Sequence, residues 1–249
     1  MTKAEEKLCE QITLCPNTGN IGNNGINPCD KILKAQNCTE GFQMPEPWSG
    51  HLSSAKILYI GSNPSIDCDE VYPDYNWSKK QICDFFKNRF KNGKVLKSTG
   101  KEVSVPYWMG LITYTNMIND KLTTYGKSPL TSYPKKKKSK KNFYDELNND
   151  VASTEIVHCK SKNAVGFYES RCKCSDLWMA NILKIFNGEL IVVLGGKAKD
   201  AINNCCKLKS VMASQTKPII YLPHPSSPAS TNTRIAAVDS ELKRVKLIP

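Results

Sequence analysis

A single α/β domain, with a central, mostly parallel sheet of four to five strands flanked by helices, is the fold this sequence predicts. Three observations predict it. Lys56-Ile57-Leu58-Tyr59-Ile60 is a short apolar run that stops at Gly61 and enters the polar cluster Ser62-Asn63-Pro64-Ser65, the pattern of a buried strand ending in a loop. Leu190-Ile191-Val192-Val193-Leu194 is a second such run, followed by Gly195-Gly196 and a helical stretch over about 198–206. Pro218-Ile219-Ile220-Tyr221-Leu222 is the third, and it ends in Pro223-His224-Pro225. Strands alternating with helical stretches build parallel sheets, and ligands bind where the carboxyl ends of the strands splay into a crevice.

At 249 residues the chain is long enough for one large domain with a sizeable core. Residues 1–41 read as an N-terminal extension, 42–249 as the α/β domain, and about 120–174 partly as an insertion. With 35 basic against 23 acidic residues the formal charge is +12, which favours anionic partners, DNA among them. Part of the surplus is local: Lys135, Lys136, Lys137, Lys138, Lys140 and Lys141 form one run, suited to phosphates or to solvent. No apolar stretch approaches the roughly 20 residues that span a bilayer, and residues 1–6 are polar. A soluble, cytoplasmic monomer without membrane contact is the expectation.

Eleven cysteines are scattered without a secretory signal, so a disulfide scaffold is not expected. Cys9, Cys15, Cys29 and Cys38 fall in an Asn/Gly-rich segment where a zinc ion or a [4Fe–4S] cluster has to be weighed. No C-x-x-C pair occurs among them and their spacings fit no common pattern, which favours free thiols and no cofactor.

In chain order, a short helix is expected over about 4–14. Pro45 and Pro47 then force an extended path that brings Trp48 under the first strand. After that strand, the loop over 66–77 carries Tyr72, Tyr75 and Trp77, placed either to stack on a planar ligand or to close the loop onto the core. Ser78 to Gln81 is a capping-box pattern, and Ile82, Phe85, Phe86 and Phe90 form one helical face up to Gly93. A hairpin is expected over 100–105, and a strand within 111–119 that ends at Asn116. The stretch 120–174 lacks periodicity and reads as a long surface insertion. Ser175 is expected to cap a helix with Met179, Ile182, Leu183 and Phe186 on its apolar face, ending at Gly188, and a last helix covers about 232–243.

Three strand ends thus deliver Asn63, Asn116 and His224 to one rim. An Asn offers a donor beside an acceptor, suited to a base edge or to holding a water. A His between two prolines is aimed, and its imidazole can donate to a developing oxyanion.

Gly61-Ser62-Asn63-Pro64-Ser65 and His224-Pro225-Ser226-Ser227-Pro228, about 160 positions apart and each preceded by a strand, resemble the two signature motifs of the uracil-DNA glycosylase superfamily. Thr115-Asn116, the stretch 190–198 and the stretch 45–50 agree with it. The resemblance covers roughly residue 42 to the end of the chain. It implies a monofunctional DNA glycosylase that flips a target nucleotide into a pocket and hydrolyses its N-glycosidic bond, releasing uracil or a related damaged or modified base. By that resemblance Asn63 positions the water, His224 hydrogen-bonds the departing base, and Asn116 reads the base edge. Tyr72, Tyr75 and Trp77 are stacking candidates, Ser65 and Ser226 contact phosphates, and Ser227 and Pro228 belong to the loop that wedges into the duplex. Asn63 stands where several branches carry a carboxylate. One branch holds a [4Fe–4S] cluster on four cysteines whose close first pair is missing from the early cysteines of this chain. Excision of a hypermodified base from viral DNA and non-catalytic binding by a basic surface are the rival expectations.

Overall fold

The computed structural model describes residues 1–18, 27–36, 42–89, 93–131 and 149–249. Helix α1 (Lys3–Thr13) is closed by a capping box between Thr2 and Glu5. Helix α2 (Asp30–Lys34) and the two-residue strand β1 (Ser49–Gly50) precede β2 (Ile57–Gly61), whose five residues are all buried. Helix α3 (Lys79–Lys87) starts at the expected Ser78–Gln81 capping box and buries Ile82 and Phe86. The hairpin β3 (Lys94–Leu96) and β4 (Glu102–Ser104) leads into α4 (Pro106–Thr124). Then come β5 (Val151–Glu155), α5 (Phe167–Ile185), β6 (Leu190–Leu194), α6 (Gly195–Asn204), α7 (Cys206–Ala213), β7 (Ile219–Leu222) and α8 (Thr231–Arg244).

The main sheet has the order β1-β5-β2-β6-β7; only β1 runs antiparallel to its neighbour. From β2 the chain crosses to β5 on one side, and from β5 it returns past β2 to β6 on the other. That reversal makes the carboxyl end of β2 a topological switch point, where the flanking loops depart in opposite directions and leave a crevice. The register sets Gly61 beside Glu155 and Leu194 beside Leu222, so the four parallel strands end along one edge.

Side chains alternate across the sheet and divide the core in two. Leu58, Ile60, Ala152, Ile191 and Val193 pack with α1, α3, α5, α6 and α7, and Trp48 lies fully buried among them as expected. Ile57, Tyr59, Val151, Val192 and Ile220 face α4 and α8. The described part of residues 1–41 joins the first layer: Leu8, Cys9 and Ile12 are in the core, and the Glu5 carboxylate accepts from the Ser53 amide at 2.9 Å.

Three expectations are corrected. Residues 111–119 are not a strand but the middle of the 19-residue α4. Buried Trp108, Leu111, Ile112, Thr115, Ile118, Asn119 and Leu122 recur at three- and four-residue steps, and Pro106 at the first turn fits helix initiation. Within the supposed insertion, residues 151–174 belong to the fold itself. Strand β5 was hidden because Val-Ala-Ser-Thr-Glu carries no apolar run, yet the sheet buries it on both faces, and the Thr154 hydroxyl is satisfied by the Pro47 carbonyl at 2.7 Å. Helix α5 begins at Phe167, after Gly166 in a left-handed conformation (φ 79°), so Ser175 lies inside it rather than capping it. Among the described residues a disulfide joins Cys172 of α5 to Cys205. No helix there is long and apolar enough to cross a membrane.

Candidate active site

Past their last residues, β2 and β5 stay joined. The amides of Ile156 and Val157 donate to the carbonyls of Gly61 and Ser62 at 3.1 and 2.9 Å, and the Ser161 amide donates to the Pro64 carbonyl at 3.1 Å. This holds Asn63 at the mouth of the crevice. Its Nδ2 donates to the Pro64 carbonyl at 3.2 Å and to the Ser161 hydroxyl at 3.1 Å. Both amide hydrogens are thereby used, and Oδ1 is left as an acceptor.

At the end of β7, His224 is fixed from several directions. Its Nδ1 accepts from the Ser226 amide at 3.2 Å, so in the neutral ring the proton sits on Nε2. Burial, then Arg234 and Lys197, push its pKa below the ordinary imidazole value, which keeps the ring neutral at neutral pH. Tyr107 stacks on the ring at 5.6 Å. The loop beneath is held by the Tyr114 hydroxyl on the Pro223 carbonyl (2.9 Å) and by Arg234 on the carbonyls of Pro225 and Ser227 (2.7 and 2.9 Å). Two glycines permit the close packing: a Cβ on Gly110 of α4 would overlap Pro225, and one on Gly195 would stand 3.1 Å from His224 Cβ.

Two residues that the sequence did not single out complete the group. Tyr107, at the start of α4, shares a hydrogen bond with the Ser153 hydroxyl at 3.3 Å. Glu155, the last residue of β5, lies over Gly61, where any Cβ would overlap its carboxyl, and its Oε2 is buried without a partner. Burial, then the charge of Glu46, push its pKa well above the ordinary carboxylate range, with Tyr107 acting against them. No local pattern marks either residue, because each meets the site through a neighbouring element.

The other expected site residues divide. Asn116 sits in the middle of α4, not at a strand end, because its stretch is helical. Tyr72 is buried edge-on to Phe85 and Phe86, with Lys160 Nζ 3.8 Å above its ring and its hydroxyl donating to Glu46 at 3.2 Å. Trp77 packs edge-on to Phe85, while Tyr75 stacks on Phe42 and bonds the Thr18 hydroxyl at 3.2 Å. These three therefore close the loop onto the core and the N-terminal segment. Beneath them Glu70 is buried; burial opposes its charge, and Arg89 and Lys160 outweigh that and hold its pKa low. Ser65, Ser226 and Pro228 are exposed and Ser227 is half-buried, all in the loops beside the crevice. Lys135, Lys136, Lys137 and Lys138 lie outside the described residues.

A second cluster lies behind the site. Cys15, Cys29, Cys159 and Cys174 line one small cavity with His158 and Trp178. All four are buried free thiols. His158 Nδ1 donates to the Glu46 carbonyl at 2.8 Å, and its Nε2 is buried with no partner. This set differs from the expected one: Cys15 and Cys29 remain, Cys9 packs toward Cys83, and Cys38 lies outside the described residues. Among the described residues no three His, Cys, Asp or Glu groups stand close enough to hold a single metal ion.

No protein-family model and no curated protein sequence matches this chain.

Proposed function

We propose that this protein is a monofunctional DNA glycosylase for uracil or a related pyrimidine. The observation that carries it is the complementary pinning of Asn63 and His224, which leaves an acceptor oxygen on one and an N–H donor on the other, at the ends of parallel strands of one sheet. The target nucleotide leaves the stack, at a cost of about a few kcal/mol. As the C1′–N bond breaks, its electron pair leaves with the base, and His224 Nε2–H bonds the base oxygen where charge collects. Removing one such donor typically costs on the order of a hundredfold in rate. Asn63 Oδ1 holds a water against C1′. The water's oxygen bonds to that carbon and its proton ends on the departing base. An amide takes up no proton, so catalysis rests on stabilising the leaving group.

A [4Fe–4S] cluster, if this chain holds one, would be held by Cys15, Cys29, Cys159 and Cys174, the four free thiols that line one cavity. Bound there, a cluster would supply a covalent tie among distant segments and one-electron redox capacity. Cys159 lies two residues before Ser161, which orients Asn63.

Release of bases from duplex and single-stranded oligonucleotides carrying uracil, hypoxanthine or modified cytosine, followed by cleavage at abasic sites, tests the proposal. Asn63→Ala and His224→Ala are expected to lower excision at least a hundredfold with DNA affinity within a few-fold of the parent. Loss of affinity alone would leave a basic binding protein instead.

A further inference from the structure

We propose that Cys83 and Cys9 form a peroxide-sensitive dithiol, in which Cys83 is oxidised first and Cys9 then closes a disulfide that ties helix α1 to helix α3. Neither thiol takes part in the proposed base excision.

Position comes first. Cys83 stands in the middle of α3, one turn after Lys79, and the two share a helix face. Opposite them α1 presents Glu6, Cys9 and Glu10, again one turn apart. Lys79 is paired with Glu10 across this seam, and the Cys83 thiol donates to the Glu6 carbonyl at 4.0 Å. Cys9 and Cys83 face each other within hydrogen-bonding reach. The helices are thus already docked, and a bond asks only for the last approach of sulfur to sulfur. The two thiols differ in access: Cys9 is fully buried, whereas Cys83 is half-buried and open to a small solute.

Chemistry sets the order of events. The Cys9 thiol bonds the Cys83 sulfur and holds its pKa below the ordinary thiol value, against burial and the carboxylates of Glu6, Asp84 and Glu10. The same bond, then burial, push Cys9 up. The buried thiols Cys15, Cys29, Cys159 and Cys174 are likewise pushed up by burial, so none of them shares the character of Cys83. Thiolate character and access together select the sulfur that hydrogen peroxide attacks. The Cys83 thiolate bonds to one peroxide oxygen, the O–O bond breaks, and hydroxide leaves and takes up the proton that Cys83 released. Cys83 is then a sulfenic acid. Cys9 sulfur bonds to Cys83 sulfur, the S–O bond breaks, and the departing hydroxide takes the Cys9 proton. Two thiols and one peroxide have become one disulfide and two waters. A dithiol reductant reverses the bond by attacking the accessible Cys83 sulfur.

The test uses the full chain after mild reduction and removal of the reductant. It is treated with hydrogen peroxide, digested without reduction and mapped by mass spectrometry, with a sulfenic-acid trap such as dimedone in parallel samples. The parent is expected to yield the Cys9–Cys83 cross-linked peptide, and Cys83 should react at least about tenfold faster than Cys206, which is exposed but faces no such partner thiol in the fold's α1–α3 seam. Cys9→Ala should leave Cys83 oxidised and captured by the trap, and Cys83→Ala should leave Cys9 a thiol. The oxidised parent should melt about 4 °C or more above the reduced one, and Cys83→Ala should show no such rise. Absence of the cross-linked peptide from the folded parent, oxidation of Cys83 no faster than that of Cys206, or an oxidised parent that melts no higher than the reduced one would each overturn the inference. The mapping and the rate comparison are made on the parent, so they hold even if a variant folds poorly.

Discussion

Glu155 has a signature in stability that needs no substrate. Burial and then Glu46 raise its pKa in the folded protein above its ordinary value, with Tyr107 in opposition. A carboxyl raised on folding contributes its full stability below its unfolded value and loses it as pH climbs through the folded value, because the folded state then holds a proton that the unfolded state has released. Within that window the loss is about 1.4 kcal/mol per pH unit. Gln is neutral throughout. Glu155→Gln is therefore expected to melt close to the parent at pH 5 and clearly above it at pH 8. Equal differences at the two pH values would mean that the carboxyl ionises in the folded protein as it does in water. The neighbouring acid, Glu46, stays partnered to Tyr72 and Arg89 in both variants.

At the scale of elements, the contact between α4 and the loop after β7 decides how well His224 is aimed. A Cβ at Gly110 would overlap Pro225, whose movement carries His224 with it, whereas a Cβ at Gly196 in the first turn of α6 meets nothing. Gly110→Ala is expected to cost about 1–3 kcal/mol by overpacking and to lower excision by at least tenfold. Gly196→Ala should be neutral or slightly stabilising, since Ala is the better helix former. Melting temperatures and excision rates of the pair check this; equal behaviour would show that the loop gives way without cost. The same contact explains what was legible in the sequence. Strands β2, β6 and β7 announce themselves as apolar runs, and Asn63 and His224 follow directly from where those runs stop. Helix α4 reads as a strand in the sequence because Leu111-Ile112-Thr113-Tyr114-Thr115 suits a strand over five residues, and only the full 19-residue repeat of buried positions reveals the helix. Strand β5 leaves no signal in the sequence because it is made mostly of small and polar residues whose burial is imposed by β1 and β2. With β5 unseen, Glu155 had no strand end to stand on, and with α4 read as a strand Tyr107 had no reason to meet His224.

Across the whole molecule, segments distant in sequence converge on the four thiols. Cys15 and Cys29 come from the N-terminal segment, Cys159 from the segment after β5, and Cys174 from α5. Without a cation between them, burial and the mutual repulsion of their thiolate forms push them toward the thiol state, Cys29 to about 11. A polynuclear iron centre would reverse that balance, because its positive charge stabilises thiolates. Protein purified without oxygen is expected to be coloured, to absorb broadly in the visible and to contain iron with acid-labile sulfide. Cys159→Ser and Cys174→Ser should lose the colour and melt lower, while Cys83→Ser, whose thiol faces Cys9 instead, should keep it. The loss should extend to excision, since the segment that carries Cys159 also carries Ser161 and with it the orientation of Asn63. Colourless protein free of iron and sulfide, even after anaerobic reconstitution with ferrous iron and sulfide, would make the four thiols core packing. Their serine variants should then fail through buried unpaired hydroxyls, and Cys159→Ala and Cys174→Ala would restore much of the lost stability.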